Sequence, residues 1–323
     1  MQRASGGASG VDRRVLVAAA GAACIASSSM FVRLADASPA TAAAFRCLLS
    51  VPLLLAIAWW QGRGNDEPRP RRARLLAAGA GAFFTLDLYF WHHCIADAGA
   101  GVATVLGNLQ VLVVGAVAWA LLGERPSSRL LGALPVVGVG VVFVSGIVGP
   151  AAFGEHPVRG TVYGVLTSTA YAGFILLLRG ASTGSRSTAA PLLEATVVAG
   201  VLSIGLGAVT DGVDLAPPAE SLAWLALLAV LSQVVGWLLI SHSLPQLPAA
   251  VTSLVLLLQP LGALALAAVV LGERPTWVQL VGSALVLGGV VAGSRGTSTS
   301  RDPEPAADLA PTALTATPAS SRA

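Results

Sequence analysis

Ten long apolar stretches alternate with short polar connections along the chain. Each holds about 20 residues with few or no charges, the length at which an α-helix crosses the hydrocarbon core of a bilayer. The pattern therefore predicts ten transmembrane helices. They span residues 15–34, 38–60, 75–96, 98–122, 128–149, 159–179, 190–210, 220–243, 248–271 and 276–294.

A repeated motif relates the two halves of the chain. Leu-Gly-Glu-Arg-Pro occupies residues 122–126 and again residues 271–275, 149 positions later. At the same spacing, three more pairs align: Gln110 with Gln259, Thr104 with Ser253, and His93 with His242. An apolar repeat of half a chain is typical of membrane transporters built from two related halves. Because each half has five predicted spans, an odd number, the halves should cross the membrane in opposite directions.

The predicted fold is therefore an all-α integral membrane protein, with ten transmembrane helices arranged as two inverted five-helix repeats. The predicted parts are a cytoplasmic N-terminal segment (1–14), two five-helix repeats (15–149 and 159–294) and a cytoplasmic tail (295–323). The tail is rich in Pro, Ser, Thr and Ala without apolar periodicity, so we expect it to be disordered. Arg13, Arg14 and the apolar run after them resemble a secretory signal. Because that run is 18 residues long and has a counterpart at 161–178, we expect an uncleaved helix.

Composition excludes a soluble protein. Of 323 residues, 55% are hydrophobic and 11% are charged, too few charges for the surface of a soluble domain. All 19 basic residues are arginine, which together with the Ala and Gly excess indicates a high-GC bacterial genome. The three isolated cysteines form no CxxC motif, so neither disulfides nor a zinc site is expected.

Arginine distribution predicts the orientation in the membrane. If the N-terminus is cytoplasmic, 15 of the 19 arginines fall in cytoplasmic segments, and the loop 61–74 alone holds five. This bias follows the positive-inside rule and places both termini in the cytoplasm. The predicted location is the inner membrane of a bacterial cell, and with most arginines in loops no nucleic-acid partner is expected.

These motifs carry a family resemblance. Leu-Gly-Glu-Arg-Pro twice, Phe45-Arg46 in the second span, and Ala-Ala-Val-Thr-Ser at 249–253 before Leu-Gln-Pro at 258–260 resemble the EamA family of the drug/metabolite transporter superfamily. The first half departs from the second, since Val111 stands where the second half has Pro260. The resemblance implies a secondary carrier, often an exporter of amino acids or other small metabolites, and names no substrate.

The motif residues favour a structural role. Glu124 and Glu273 each follow a glycine at a helix exit, and Pro126 and Pro275 stand two residues later. Proline suits the first turn of a helix, and a carboxylate beside a helix N-terminus is stabilised by the helix dipole. We therefore expect tight interhelical turns anchored by charge.

Polar residues within the apolar spans are the candidates for substrate binding. They are Asp87, Trp91, His92, Thr104, Asn108, Gln110, Gln233, Trp237, Ser253 and Gln259. Helical spacing puts Asp87 and Trp91 on one face, and likewise Gln233 and Trp237. It also puts Thr104 and Asn108 on one face of the fourth span and Gln110 on a different face. One of these two polar faces is expected to line a cavity, and the other to form hydrogen bonds between helices.

Two further features of the spans stay open between a structural and a functional role. Pro260 frees the carbonyl of Leu256, which serves either a kink alone or a cavity lining. Arg46 and Asp87 are charges at a similar depth in consecutive spans, roughly 10 Å below the outer face. They form either a static ion pair or one that Asp87 exchanges for a proton or a cationic substrate group.

The leading functional prediction is a secondary transporter, an exporter working by alternating access on a small amphipathic metabolite such as an amino acid. Its partners would be this substrate and the bilayer, with a homodimer left open. A membrane enzyme acting on lipid-linked groups and a passive channel are the alternatives. No catalytic constellation, ATP-binding motif or i, i+4 histidine pair occurs, so we expect no catalytic residue, cofactor or metal.

Overall fold

The computed structural model describes residues 5–63, 69–122, 128–145, 148, 156–185, 187–210, 212–243 and 249–294. Within these ranges the chain is helical and contains no β-strand. The helices are α1 (Ser5–Ala26), α2 (Ser28–Ala35), α3 (Pro39–Gly62), α4 (Arg71–Ala98), α5 (Ala100–Gly107), α6 (Gln110–Leu122), α7 (Ser128–Val144), α8 (Pro157–Ser182), α9 (Ala189–Val209), α10 (Ala219–Leu227), a π-helical segment (Leu228–Gly236), α11 (Trp237–Ser243), α12 (Ala249–Val270) and α13 (Trp277–Ser294).

Six helical stretches of the described chain are long and apolar enough to cross a membrane, and four further apolar helices are shorter. The positions of the six long stretches match the predicted ones to within a few residues, for example Ala189–Val209 against the predicted 190–210. The prediction of an all-helical membrane protein is thus confirmed, whereas the count of ten spans stays a prediction. The predicted tail lies outside the described residues.

Three of the predicted spans are not uniform α-helices, contrary to the prediction. The first is divided at Ser27, and the fourth is divided at Asn108 and Leu109. The eighth contains the π-helical segment, in which each backbone hydrogen bond joins residues five positions apart instead of four. Interruptions of this kind are tolerated at membrane depth where neighbouring helices or a cavity satisfy the backbone.

Local sequence explains how several helices begin. Ser38 caps α3 by accepting a hydrogen bond from the Thr41 N–H at 3.2 Å, and Pro39 occupies the first helical position. Thr276 and Gln279 cap α13 reciprocally. The Thr276 hydroxyl accepts from the Gln279 N–H at 3.2 Å, and the Gln279 side-chain oxygen accepts from the Thr276 N–H at 3.1 Å.

The main helix contacts map onto one another when the two halves of the chain are exchanged. Helix α4, the third element of the first half, packs along α8, the first of the second half. Correspondingly, α1 packs along the π-helical segment and α11, which with α10 form the third element of the second half. The second elements, α3 and α9, pack against each other, and so do the fifth elements, α7 and α13. These contacts are the ones expected of two related repeats.

The packing of α7 against α13 depends on glycine. A Cβ atom added to Gly140 would lie 2.8 Å from the Gly282 carbonyl oxygen, and one added to Gly282 would lie 2.7 Å from the Gly140 carbonyl oxygen. Small residues let helix backbones approach closely within membranes, where packing replaces the hydrophobic effect between helices. The last helices of the two halves are thereby joined backbone to backbone.

Two ion pairs join the halves at opposite ends of α4. Arg159, in the first turn of α8, donates from Nε and Nη2 to the two carboxylate oxygens of Asp97, each at 2.7 Å. Beyond the other end of α4, Arg69 pairs with Glu194 of α9 and donates to the Ala181 carbonyl oxygen at 2.7 Å. A planar guanidinium suits such two-oxygen contacts. Both ends of α4 are therefore fastened to the second half.

Candidate functional site

A cavity of about 90 Å³ lies near the middle of the helices. Residues of both halves line it: Ile25, Ser28, Arg46, Phe84, Asp87, Leu88, Trp91, Thr104, Gly107, Asn108, Gln110, Thr167, Tyr171, Trp237 and Gln259. Membrane transporters built from repeats hold their substrates at such a position, between the halves and near the bilayer midplane.

The cavity lies beside the helix interruptions. Ser28 follows the division of the first span, and Trp237 follows the π-helical segment. At the division between α5 and α6, the Asn108 backbone N–H bonds the Val105 carbonyl at 3.2 Å instead of continuing the α-helical ladder. The Asn108 side-chain Nδ2 donates to the Thr104 carbonyl at 2.8 Å. The side chain thus satisfies a carbonyl that the backbone leaves free, which keeps the break stable in an apolar span.

Arg46 of α3 is held at the cavity wall by its own set of contacts. Its Nε donates to Gln233 Oε1 at 2.9 Å, and Gln233 Nε2 donates in turn to Thr196 Oγ1 at 3.3 Å. The guanidinium also lies over the rings of Phe84 and Trp91, 5.8 and 5.7 Å from their centroids. Cation–π contacts of this kind stabilise a cation that has lost water.

Asp87 of α4 shares the cavity with Arg46, but the two do not form a salt bridge. Arg69–Glu194 and Arg159–Asp97, by contrast, are ion pairs closer than 4.0 Å. Both Asp87 and Arg46 are at least nine-tenths buried. The static ion pair that the sequence left open is therefore not formed in this conformation.

Seven of the ten predicted substrate-binding residues line the cavity. They are Asp87, Trp91, Thr104, Asn108, Gln110, Trp237 and Gln259. The structure thus brings together residues from α4, α5, α6, α11 and α12, and their contact with a substrate stays a prediction. Gln110 was expected to face away from Thr104 and Asn108, which is wrong because the helix breaks between Asn108 and Gln110.

Of the other three candidates, Gln233 and His92 do not line the cavity. Gln233 lies behind Arg46 and is fully buried. His92 is 2% exposed, and its Nδ1–H donates to the Leu88 carbonyl. Ser253 lies in α12, and its side chain is outside the described part of the structure.

Three of the predicted structural residues, Glu273, Pro275 and Pro260, lie in α12 or in the turn that follows it. Glu273 is buried in the turn between α12 and α13 and bonds to the start of α5. Pro275 lies in the same turn, while Pro260 is buried inside α12, which continues through it. Gln259 beside it lines the cavity, whereas Pro260 does not. Glu124 and Pro126 lie outside the described residues.

Several lining residues were not predicted. Thr167 and Tyr171 stand four positions apart on α8, a spacing that marks one helix face and could have identified them. Ser28 and Phe84 carry no comparable signal. In the described ranges, no three His, Cys, Asp or Glu side chains come together as a metal site.

A cavity with polar side chains between two sets of apolar helices is typical of α-helical membrane transport proteins. The sequence model of the EamA-like transporter family matches residues 13–146 and again residues 158–294. The two matches together cover most of the chain, so the protein belongs to the EamA family of the drug/metabolite transporter superfamily. That confirms the resemblance drawn from the repeated motif, and the family is one of membrane transporters.

A solved crystal structure has the same fold. It aligns with 88% of this chain and 97% of its own, with a TM-score of 0.58 and 15% sequence identity. At that identity the likeness concerns the fold alone. No curated protein matches the chain.

Proposed function

We propose that the protein is a secondary transporter that exports a small amphipathic metabolite, such as an amino acid, by alternating access. The cavity between the halves carries the proposal, because its wall combines an arginine, an aspartate, three side-chain amides and aromatic rings from both repeats. Polar and charged groups at membrane depth are costly unless they serve a solute or one another. A solute with polar groups and an apolar part suits such a wall.

The two related repeats support alternating access. Exchange of the halves maps the packing of α4 against α8 onto that of α1 against the π-helical segment and α11. Rocking one set of helices against the other around a central site is how repeat transporters expose that site to each side in turn. We place the protein in the inner membrane of a bacterium with both termini in the cytoplasm, on the arginine distribution.

The proposal is tested in two steps. Metabolites are first compared between cells that over-express the protein and cells that lack it, and a compound depleted inside and enriched outside the over-expressing cells is the candidate substrate. Purified protein in liposomes is then tested for counterflow of the labelled compound. Saturable counterflow is expected of a carrier, whereas uptake without counterflow would indicate a channel and contradict the proposal.

A further inference from the structure

Exposed arginines lie together at the end of α4 and α8 that we place in the cytoplasm. Three belong to the first turn of α4 and one to the last turn of α8: Arg71, Arg72, Arg74 and Arg179. The two helices pack against each other here, since a Cβ atom added to Gly180 would lie 3.2 Å from Leu76 Cδ1. These four residues, the arginine cluster, therefore come from both halves of the chain.

Helix stability does not account for the arginines on α4. Cations in the first turn of a helix oppose the positive end of the helix dipole. The first turn of α4 contains no acidic residue, and Pro70 before it provides no side-chain cap. Orientation in the membrane requires positive charge on this side, but not inside the first turn of a helix. The arrangement therefore weakens α4 unless an anion lies beside it.

The neighbouring segments supply too few carboxylates to balance the arginines. Residues 61–74 and 179–194, which include the connections at this end of the helices, hold seven arginines and three carboxylates, Asp66, Glu67 and Glu194. Glu194 pairs with Arg69, and Asp66 and Glu67 lie outside the described residues. Arginine would stay in excess even if both of these acids were paired. The excess is complementary to an anion from outside these segments.

Exposed tryptophans mark this end of the helices as a membrane interface. Trp59 and Trp60, in the last turn of α3, are 64% and 66% exposed. Tryptophan is enriched at the level of the lipid headgroups. The Arg63 guanidinium lies 4.0 Å from the centroid of the Trp59 ring, which stabilises a cation at the same level. Since residues 63–70 join α3 to α4 at this end, the arginine cluster lies close to the headgroups.

The cluster lies above a lipid-facing side of α4. Arg71 and Arg74 share a helix face with Leu75, which is 61% exposed. Leu86 is eleven residues further on, which returns it to the same face, and it is also exposed. A face of exposed leucines on a membrane-spanning helix contacts acyl chains. A phosphate bound above this face would therefore belong to a lipid whose chains lie along α4.

We propose that the arginine cluster binds the headgroup of an anionic phospholipid, which bridges α4 and α8. Clusters of basic residues beside transmembrane helices attract anionic lipids, and each cation adds to the attraction. A guanidinium also offers paired N–H groups to the oxygens of a phosphate. The bound lipid would join the two halves beside the Arg69–Glu194 ion pair. Such binding does not depend on which solute is transported.

The experiment measures lipid binding to the purified protein in a neutral detergent by native mass spectrometry. Phosphatidylglycerol and phosphatidylcholine with the same acyl chains are titrated separately. We expect phosphatidylglycerol to bind at least about 10-fold more tightly. Inorganic phosphate at the same concentrations should not displace it, because phosphate lacks the contacts of the acyl chains. Equal binding of the two lipids overturns the proposal, and so does displacement by phosphate, which would indicate a site for free anions.

Arginine substitutions locate the site. The triple variant R71Q/R72Q/R74Q should weaken phosphatidylglycerol binding at least about 10-fold and leave phosphatidylcholine binding unchanged. The matched control R13Q/R14Q/R129Q removes three exposed arginines that we place on the same side of the membrane, and it should leave the tightest phosphatidylglycerol site unchanged. If the first variant yields no folded protein, its three single substitutions are measured, and each should weaken binding about 5-fold. Equal weakening by the variant and its control would indicate diffuse charge attraction and overturn the proposal.

The bridge between the halves is tested by thermal unfolding. At a phosphatidylglycerol concentration ten times its dissociation constant, the unsubstituted protein should unfold about 2–4 °C higher than without the lipid. Arg179→Gln should weaken the binding about 5-fold and reduce this shift. Arg274→Gln, at an exposed position between α12 and α13, is the control and should keep the whole shift. Unchanged phosphatidylglycerol affinity in Arg179→Gln would confine the lipid to α4 and contradict the bridge.

Discussion

Glu273 of the second repeat caps a helix of the first repeat at Ala100. Its Oε1 accepts a hydrogen bond from the Ala100 N–H at 2.8 Å, and its Oε2 accepts from the Gly101 N–H at 3.4 Å. A buried carboxylate at the positive end of α5 is stabilised by the dipole and satisfies free N–H groups. Gly272, with a φ of +68°, ends α12 in the left-handed conformation and directs the chain into this contact. The glutamate of the repeated motif is thus a link between the halves.

We expect Glu273→Gln to destabilise the protein without changing transport per folded molecule. The substitution removes the charge that caps α5 and should lower stability by about 1–2 kcal/mol. Folded yield and melting temperature in detergent measure the first effect, and counterflow normalised to folded protein measures the second. Arg274→Gln, at the exposed neighbouring position, is the control. Normal yield with abolished transport would contradict the structural role, and the repeat predicts the same behaviour for Glu124→Gln.

We expect Gly282→Ala to weaken the contact between α7 and α13. The new methyl group would lie 2.7 Å from the Gly140 carbonyl oxygen and 2.8 Å from Phe143 Cβ, so the backbones must separate. Overpacking of this kind costs about 1–3 kcal/mol. Gly288→Ala in the same helix meets nothing within 4 Å and is the matched control. Thermal unfolding of both variants checks the prediction, which is wrong if the two unfold at the same temperature.

Opposite orientation of the repeats is tested with single cysteines, in a background from which Cys24, Cys47 and Cys94 have been removed. Leu215→Cys, beside Val213, is predicted to react with an impermeant thiol reagent added outside the cell. Thr183→Cys, near Ser187, should react only after the cell membrane is opened, because the arginine bias places it in the cytoplasm. Both positions are exposed, so access depends on the side of the membrane and not on burial. Labelling of both from one side would contradict the inverted repeat.

Alanine at the cavity wall should change apparent substrate affinity. Trp91, Trp237 and Gln259 come from three different helices and Asn108 from the break between α5 and α6, and all four line the cavity. Loss of one hydrogen bond or ring contact should change the affinity by about 3- to 10-fold, as measured by the concentration dependence of counterflow. Val201→Ala, on the outer surface of α9, is the control. Unchanged kinetics in all four variants would exclude this wall as the substrate site.

The helix interruptions could not be predicted from the apolar pattern. A break in an amphipathic helix shows in the sequence as a shift in the periodicity of its apolar face. Asn108 and Leu109 lie inside a run that is almost uniformly apolar, so there is no such periodicity to shift. The error at Gln110 follows directly, since angular spacing applies only within one continuous helix. The π-helical segment acts similarly on Gln233 and Trp237, which were expected on one face. Only Trp237 lines the cavity, while Gln233 bonds to Arg46.

The sequence by itself determined the membrane location, the helical class, the two repeats and most of the polar residues at the cavity. Each of these features depends on how a single segment of the chain interacts with the bilayer. The thickness of the bilayer requires long apolar helices, and because its core lacks water, polar residues inside a span are rare. Only the tertiary structure decided which side chains meet. Arg46 bonds Gln233 across 187 positions, and Glu273 bonds Ala100 across 173. Such partners are set by the packing of whole helices against one another, which hydropathy along the chain does not contain.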